Sequence, residues 1–294
     1  MDYFLPLVLN GLLSGAVYAL VGAAFVVVYR ASGIVNFALG EWVSLGARIT
    51  GVGMQGGGLH LLPAFGLAIA VTAAIAALFN HIVVRRLIGR PFVAMVMATL
   101  ALGIMMQAGG RLALVGLGDD ISLAFAQGVV WLGPIMVPTS RLIASGVAVF
   151  LLGLAIAFFR FTRAGVAIRA LADDGQAATG VGISIVRYLT LAWAISAVLA
   201  VAGGVLWRID GLGGFSMALV LAKVLPVVVI GGLTSFAGAF VGALIVGVAE
   251  SLTAGYLDPM IGSGFAGVIA AVIVIAMLWV RPNGLFGERP VRRV

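Results

Sequence analysis

Cysteine is absent from the 294 residues, so disulfides, thiolate metal sites, iron–sulfur clusters and cysteine nucleophiles are excluded. Histidine is nearly as scarce. His60 and His81 are the two imidazoles, and their spacing does not suggest a metal site. Charged residues make up 9% of the chain, where about a quarter is usual for a soluble domain. Lysine occurs once, at Lys223 after Ala222, and no GxxxxGK[ST] stretch exists. The chain is therefore not expected to hydrolyse ATP through a P-loop of its own. No combination of nucleophile, base and orienting group stands out, which argues against a membrane enzyme.

What fills the chain instead is apolar: 63% hydrophobic residues and a mean hydropathy of +1.24. No soluble domain of this length could hide so much apolar surface, so the expected fold is an all-α polytopic membrane protein. Glycine, at 42 residues, is about twice its usual share, as suits membrane helices that approach closely. The net charge of +7 comes from arginines scattered between apolar runs. That is not the clustered basic face that nucleic acid requires.

With a span needing roughly 20 apolar residues, crossings are expected at 3–29, 61–84, 91–110, 142–159, 188–207 and 263–280. Met1-Asp2-Tyr3 lacks a basic leader region, so the first run is expected to remain as a span. Residues 34–50 carry Asn36, Glu41 and Arg48 between glycines and read as a short or broken segment. Residues 216–235, with Lys223, Pro226 and Gly231-Gly232, read as two short or broken helices before a span that ends near Leu257. The sum is eight or nine crossings in one membrane domain covering 1–294. Residues 116–139, with Asp119 and Asp120, read as a long loop. Arg30, the Arg85–Arg90 cluster, the central loop and the tail from Arg281 to Arg293 fall on one side, which the positive-inside rule makes cytoplasmic. Broken segments in both halves are the pattern of transporters that expose helix ends to a cavity near the midplane.

The longest polar passage, 160–187, lies between two apolar runs. Ala164, Ala167, Ile168 and Leu171 recur at helical spacing and leave Arg163, Arg169 and Asp173 on the other face. This is a short amphipathic helix at a membrane surface, either an ordinary loop or a docking element for a soluble partner. Gly262-Ser-Gly264-Phe-Ala-Gly267 has dinucleotide-binding spacing but no preceding strand, so helix packing is its expected role. Gly11-x-x-x-Gly15 and Gly238-x-x-x-Gly242 read as packing seams. Asn36, Glu41, Lys223 and Glu250 are costly inside a membrane. They either line a path or cap and pair structurally, with Lys223 a candidate partner for Glu41 or another buried acid.

Four passages together resemble the branched-chain amino acid ABC transporter permeases of the LivH type. Gly33-Ile-Val-Asn36-Phe37-Ala38-Leu-Gly40-Glu41 is similar to the signature after the first span, although Leu39 stands where that family often has a small residue or His. Thr162-Arg163-Ala164-Gly165 through Arg169-Ala170, Asp173-Asp174, Ala177-Ala178 and Gly182-Ile183 resembles its cytoplasmic loop. Lys223, Gly231-Gly232-Leu-Thr-Ser235, Gly238-Ala239, Gly242 and Glu250 resemble its late segment, and Arg281-Pro282-Asn-Gly284-Leu285-Phe286-Gly287 its ending.

The resemblance implies a non-catalytic subunit of an importer in the bacterial inner membrane. It implies a second, LivM-like permease, two cytoplasmic ATPases that hold ATP and Mg, and a periplasmic binding protein, with no cofactor in this chain. The central loop would be a coupling helix. Arg163, Ala164, Ala167, Ile168, Arg169, Leu171, Asp173 and Asp174 would contact the ATPase, with the apolar face in its groove. Asn36, Phe37, Glu41 and Lys223 would lie near the path. Similar permeases carry branched-chain amino acids, urea, short amides or aromatic acids. The competing reading is an ion-driven secondary transporter or channel that uses Glu41.

Overall fold

The computed structural model describes residues 3–87, 90–118, 121, 123, 126, 128–212, 217–262 and 264–287. The first helix, α1 (Phe4–Ser32), ends where Gly33 takes a φ of 68° and donates its N–H to the Tyr29 carbonyl at 2.7 Å. After a break, α2 (Leu39–Gln55) follows. The next span runs unbroken from Leu61 to Leu87. It consists of α3 (Leu61–Phe79), a π-helical turn (Asn80–Val84) and a last turn, α4 (Arg85–Leu87). Then come α5 (Phe92–Ala113), the hairpin β1 (Val129–Leu132) and β2 (Ile135–Pro138), and α6 (Thr139–Phe161). Two short helices, α7 (Arg163–Asp173) and α8 (Gly175–Gly180), lead to α9 (Ile185–Asp210). The chain closes with α10 (Met217–Gly231), α11 (Phe236–Tyr256), α12 (Asp258–Ile261) and α13 (Phe265–Val280).

α1 is the axis. Every residue from 14 to 28 is buried, the expected state of a helix that is apolar all round. α11, α9, α6 and α10 surround it. A Cβ on Gly11 would stand 2.6 Å from Val248 Cα, and one on Gly15 2.8 Å from the Ala243 carbonyl oxygen. Gly238 and Gly242 likewise bring α11 onto Gly231 and Val227 of α10. Both expected seams are real backbone-to-backbone contacts.

The third glycine motif is different. Nothing lies within 4 Å of a Cβ at Gly262, Gly264 or Gly267, and the first two have φ of 128° and 111°. They turn the chain into α13 instead of packing it, which corrects the expected role; Ser263 lies outside the described residues.

Among the described residues, six helices are long and apolar enough to cross a membrane, while α10 and α13 are apolar but shorter. The expected eight or nine crossings are therefore not matched by helices of spanning length. The shortfall falls on the late segments, where Gly232 follows the end of α10 and Gly264 delays the start of α13, each with a positive φ. Residues 217–231 form one short helix with Pro226 inside it, not the two expected. Residues 116–139 are not all loop, since Val129–Leu132 pairs antiparallel with Ile135–Pro138 through a turn at Gly133, φ 65°. Asp119, Asp120 and the tail arginines Arg289, Arg292 and Arg293 lie outside the described residues.

The segment after α13 folds back onto α10. Leu285 and Phe286 donate their N–H groups to the Ile230 and Gly231 carbonyls at 2.8 and 2.9 Å. The Arg281–Gly287 passage thus satisfies carbonyls that the end of α10 leaves without helical partners.

Candidate functional site

The break between α1 and α2 places polar groups inside the bundle without leaving the backbone bare. Asn36 Oδ1 accepts from the Ala38 N–H at 3.1 Å, closing a turn at the start of α2. Thr99 of α5 accepts from the Phe37 N–H through Oγ1 at 3.3 Å and lies 3.3 Å from the Val35 carbonyl. Asn36 is 1% exposed and serves the turn, while Phe37 is half-buried.

One helical turn into α2, Glu41 is 4% exposed and accepts from Gln107 Nε2 at 3.0 Å. Its carboxylate sits in the first turn of α2, where the helix dipole favours negative charge. The pair borders a cavity of about 320 Å³, near the lower end of the range for ligand pockets, whose polar lining is Glu41, Ser44, Arg48, Gln107, Arg111 and Arg208. Leu45 and Met106 supply an apolar wall.

Arg111 and Arg208 lie in the last turns of α5 and α9. Arg30, Arg160 and Arg85–Arg86 instead stand where α1, α6 and the third span finish. The cavity therefore gathers arginines that fall outside the basic side of the chain. Carboxylate, amide and guanidinium groups in one chamber can hold a small solute that bears both an anionic and a cationic group.

Asn36, Phe37 and Lys223 do not line this cavity. Lys223 Nζ lies 2.6 Å from Glu250 Oε2 and 3.0 Å from the Tyr18 hydroxyl, and that hydroxyl donates to the same Glu250 oxygen at 3.0 Å. The buried acid that neutralises Lys223 is thus Glu250, not Glu41, and the cluster ties α10 and α11 to α1. A second knot lies nearer the start of α1. Arg141 Nε donates to Asp210 Oδ1 at 2.8 Å and its Nη1 to Asn10 Oδ1 at 2.9 Å, while Ser14 donates to Asp210 Oδ2 at 3.3 Å.

Sequence reasoning missed Thr99, Gln107, Tyr18, Arg141 and Asp210. Asn10, Ser14 and Tyr18, four residues apart on one apolar helix, were a usable signal of a polar stripe.

The 163–173 helix forms where expected. Thr162 Oγ1 accepts from the Gly165 N–H at 3.0 Å as its N-cap. A Cβ on Gly165 would stand 2.5 Å from the Phe158 carbonyl oxygen, so this glycine lets α7 turn tightly against the end of α6. Ala167 and Ile168 are 7% and 1% exposed, buried as α7 packs on α6, α1 and α9. The apolar face expected to enter a partner's groove is thus seated on the chain's own helices. Arg163, Val166 and Asp173 are exposed, and Ala164, Arg169 and Leu171 are half-buried. Asp174 Oδ1 caps α8, accepting from the Gln176 and Ala177 N–H groups at 3.0 Å each.

Over residues 7–278 the sequence matches the family described as branched-chain amino acid transport system / permease component. The chain belongs to this family. It is similar to the high-affinity branched-chain amino acid transport system permease protein LivH of Escherichia coli K12, 29% identical with 99% of this chain and 98% of that protein covered. BraD of Pseudomonas aeruginosa, a permease protein of the same description, is 26% identical over the same shares. A probable LivH of Methanocaldococcus jannaschii is 27% identical, covering 88% of this chain and 85% of its own. Among solved structures, PsaBC from Streptococcus pneumoniae in complex with Fab superposes with a TM-score of 0.54 at 15% identity, covering 93% of this chain and 91% of that one. That likeness concerns the fold. This is a membrane permease of the branched-chain amino acid transport family.

Proposed function

We propose that the chain is the permease subunit of an ATP-driven importer in the bacterial inner membrane, carrying branched-chain amino acids or a related small solute. In this reading it holds no cofactor and catalyses no reaction. ATP and Mg belong to two cytoplasmic ATPase subunits, a second LivM-like permease completes the path, and a periplasmic binding protein delivers the solute. The observation that carries the reading is α7, held by its apolar face to three spans and presenting Arg163, Val166 and Asp173 outward. Its first turn holds no acid and its last turn no base. Arg163 and Asp173 thus sit at the ends where the helix dipole disfavours them. Charges that an isolated helix would not choose suit a complementary partner surface. Movement of α7 would pass directly to α6, α1 and α9.

The cavity at Glu41 fits the solute end of the same reading. An ammonium group would face Glu41, a carboxylate the arginines, and a short apolar side chain Leu45 and Met106. Glu41→Gln keeps the shape and removes one charge. In proteoliposomes holding the whole complex, the half-saturating solute concentration should rise about tenfold to a hundredfold, as for losing a charge-assisted hydrogen bond. Unchanged uptake by this variant would remove the cavity from the path. The importer itself is tested by purifying the tagged chain in mild detergent and identifying what accompanies it by mass spectrometry. Two P-loop ATPases and a second permease are expected. A chain that emerges alone and drives uptake without ATP would overturn the importer in favour of a secondary transporter.

A further inference from the structure

A cavity larger than the polar one lies elsewhere in the bundle. α3 and α5 both lie on α2, and between them runs a groove of about 680 Å³ lined entirely by apolar side chains and glycine. It extends from Val71 to Val83 along the third span and from Ala98 to Leu114 along α5. At 1.5 Å per residue that is roughly 18–24 Å, against roughly 15 Å for one leaflet of a bilayer core. Its walls belong to the least buried spans, the Leu61–Leu87 and Phe92–Ala113 windows being 22% buried each. Met105 and Leu78, on opposite walls, are 71% and 59% exposed. The groove therefore opens onto the outer surface of the bundle. One turn beyond Ile82 and Val83, where the groove ends, Arg85 and Arg86 are exposed and form no bond with any described residue.

From a length that accommodates an acyl chain, an apolar lining open at the bundle surface and two exposed cations at one end, we infer that the groove is a binding site for an anionic phospholipid of the inner leaflet. One acyl chain lies between α3 and α5, and the phosphate rests on Arg85 and Arg86. Apolar burial alone gains little inside a membrane, where lipid tails are as apolar as the groove. Selectivity comes from the arginines, and retention from van der Waals contact along a channel that would otherwise stand empty. A lipid seated there would brace α5, which packs chiefly on α2. The inference stands whether or not the chain is an importer, because it needs only the membrane.

The test uses the full chain with whatever subunits accompany it, equilibrated with phosphatidylglycerol and phosphatidylethanolamine, washed in mild detergent and examined by native mass spectrometry. Ala101→Phe and Gly109→Leu, made separately, fill the groove. Gly109 tolerates this because nothing lies within 4 Å of a Cβ there. The parent should retain one phosphatidylglycerol per chain, and each filled variant roughly tenfold less, the effect of overpacking an occupied site. The pair Arg85→Gln and Arg86→Gln should keep a lipid but lose the preference for phosphatidylglycerol. Equal retention by parent and filled variants would overturn the site. So would high-yield photocross-linking to a second permease of a Met105→Cys chain labelled with a thiol-directed benzophenone, since a protein helix would then cover the groove. The absence of native cysteine confines the label on this chain to position 105.

Discussion

Ile168→Asp is expected to abolish the folded permease, whereas Val166→Asp, two residues away, is expected to leave it folded and abolish transport. Both put a carboxylate on α7, and the difference lies in where each side chain points. Ile168 is 1% exposed and Val166 50%. At 168 the carboxylate would replace a buried apolar side chain among α6, α1 and α9, at a cost of several kcal/mol. That is a large share of the total stability of an ordinary domain. At 166 the same charge enters water when the chain stands alone, and it is buried only if a partner closes over α7. Membrane abundance and a monodisperse elution profile should therefore fall for Ile168→Asp and hold for Val166→Asp. Solute uptake and ATPase co-purification should fall at least about tenfold for Val166→Asp, the effect of one unpaired charge at a contact centre. Val166→Asp with normal uptake would remove α7 from the docking surface. Ile168→Asp with normal abundance would show that α7 leaves its seat on the bundle.

These two residues show what an amphipathic pattern can and cannot reveal. Ala164, Ala167, Ile168 and Leu171 announce that one face of 163–173 is covered. Periodicity does not say whether the cover is a partner or the chain itself. The tight Gly165 corner against Phe158 and Phe159 settles that here, and it depends on a contact that spacing does not encode.

The polar residues follow the same logic. Asn36, Glu41, Lys223 and Glu250 stood out because charges and amides are costly among apolar residues, so their positions were legible. Their partners were not. Thr99 lies 62 residues from Phe37 and Gln107 lies 66 residues from Glu41, and neither is conspicuous in its own helix. The helix ends were legible only in part. Gly33 and Gly231-Gly232 announced themselves, but Gly264 lay inside a motif that suggested packing. The β1–β2 hairpin escaped because its four-residue strands, Val129–Leu132 above all, lack alternation, and β1 is exposed throughout.

The second large effect concerns the buried pair. Lys223→Met and Glu250→Gln are each expected to lose about 3–5 kcal/mol of stability, because each leaves the other charge in an apolar setting. The double variant, Lys223→Met with Glu250→Gln, should recover most of that loss, since no net charge then remains buried. Lys223 and Glu250 have side-chain exposures of 25% and 9%, enough desolvation for this asymmetry to appear. Tyr18 sharpens the test. Its hydroxyl donates to Glu250 at 3.0 Å and lies within 3.0 Å of Lys223, so it can still donate to the amide oxygen in the double variant. Denaturant or thermal unfolding in a fixed detergent, arranged as a double-mutant cycle, measures the coupling directly. Coupling of 2 kcal/mol or more, on the order expected for a buried ion pair, would establish the cluster as an energetic tie among α1, α10 and α11 beside the glycine seam. Single variants within about 0.5 kcal/mol of the parent, the range of ordinary surface substitutions, would show that water reaches the pair. Lys223 would then be open to the path, and its charge would act on the solute instead of on the fold.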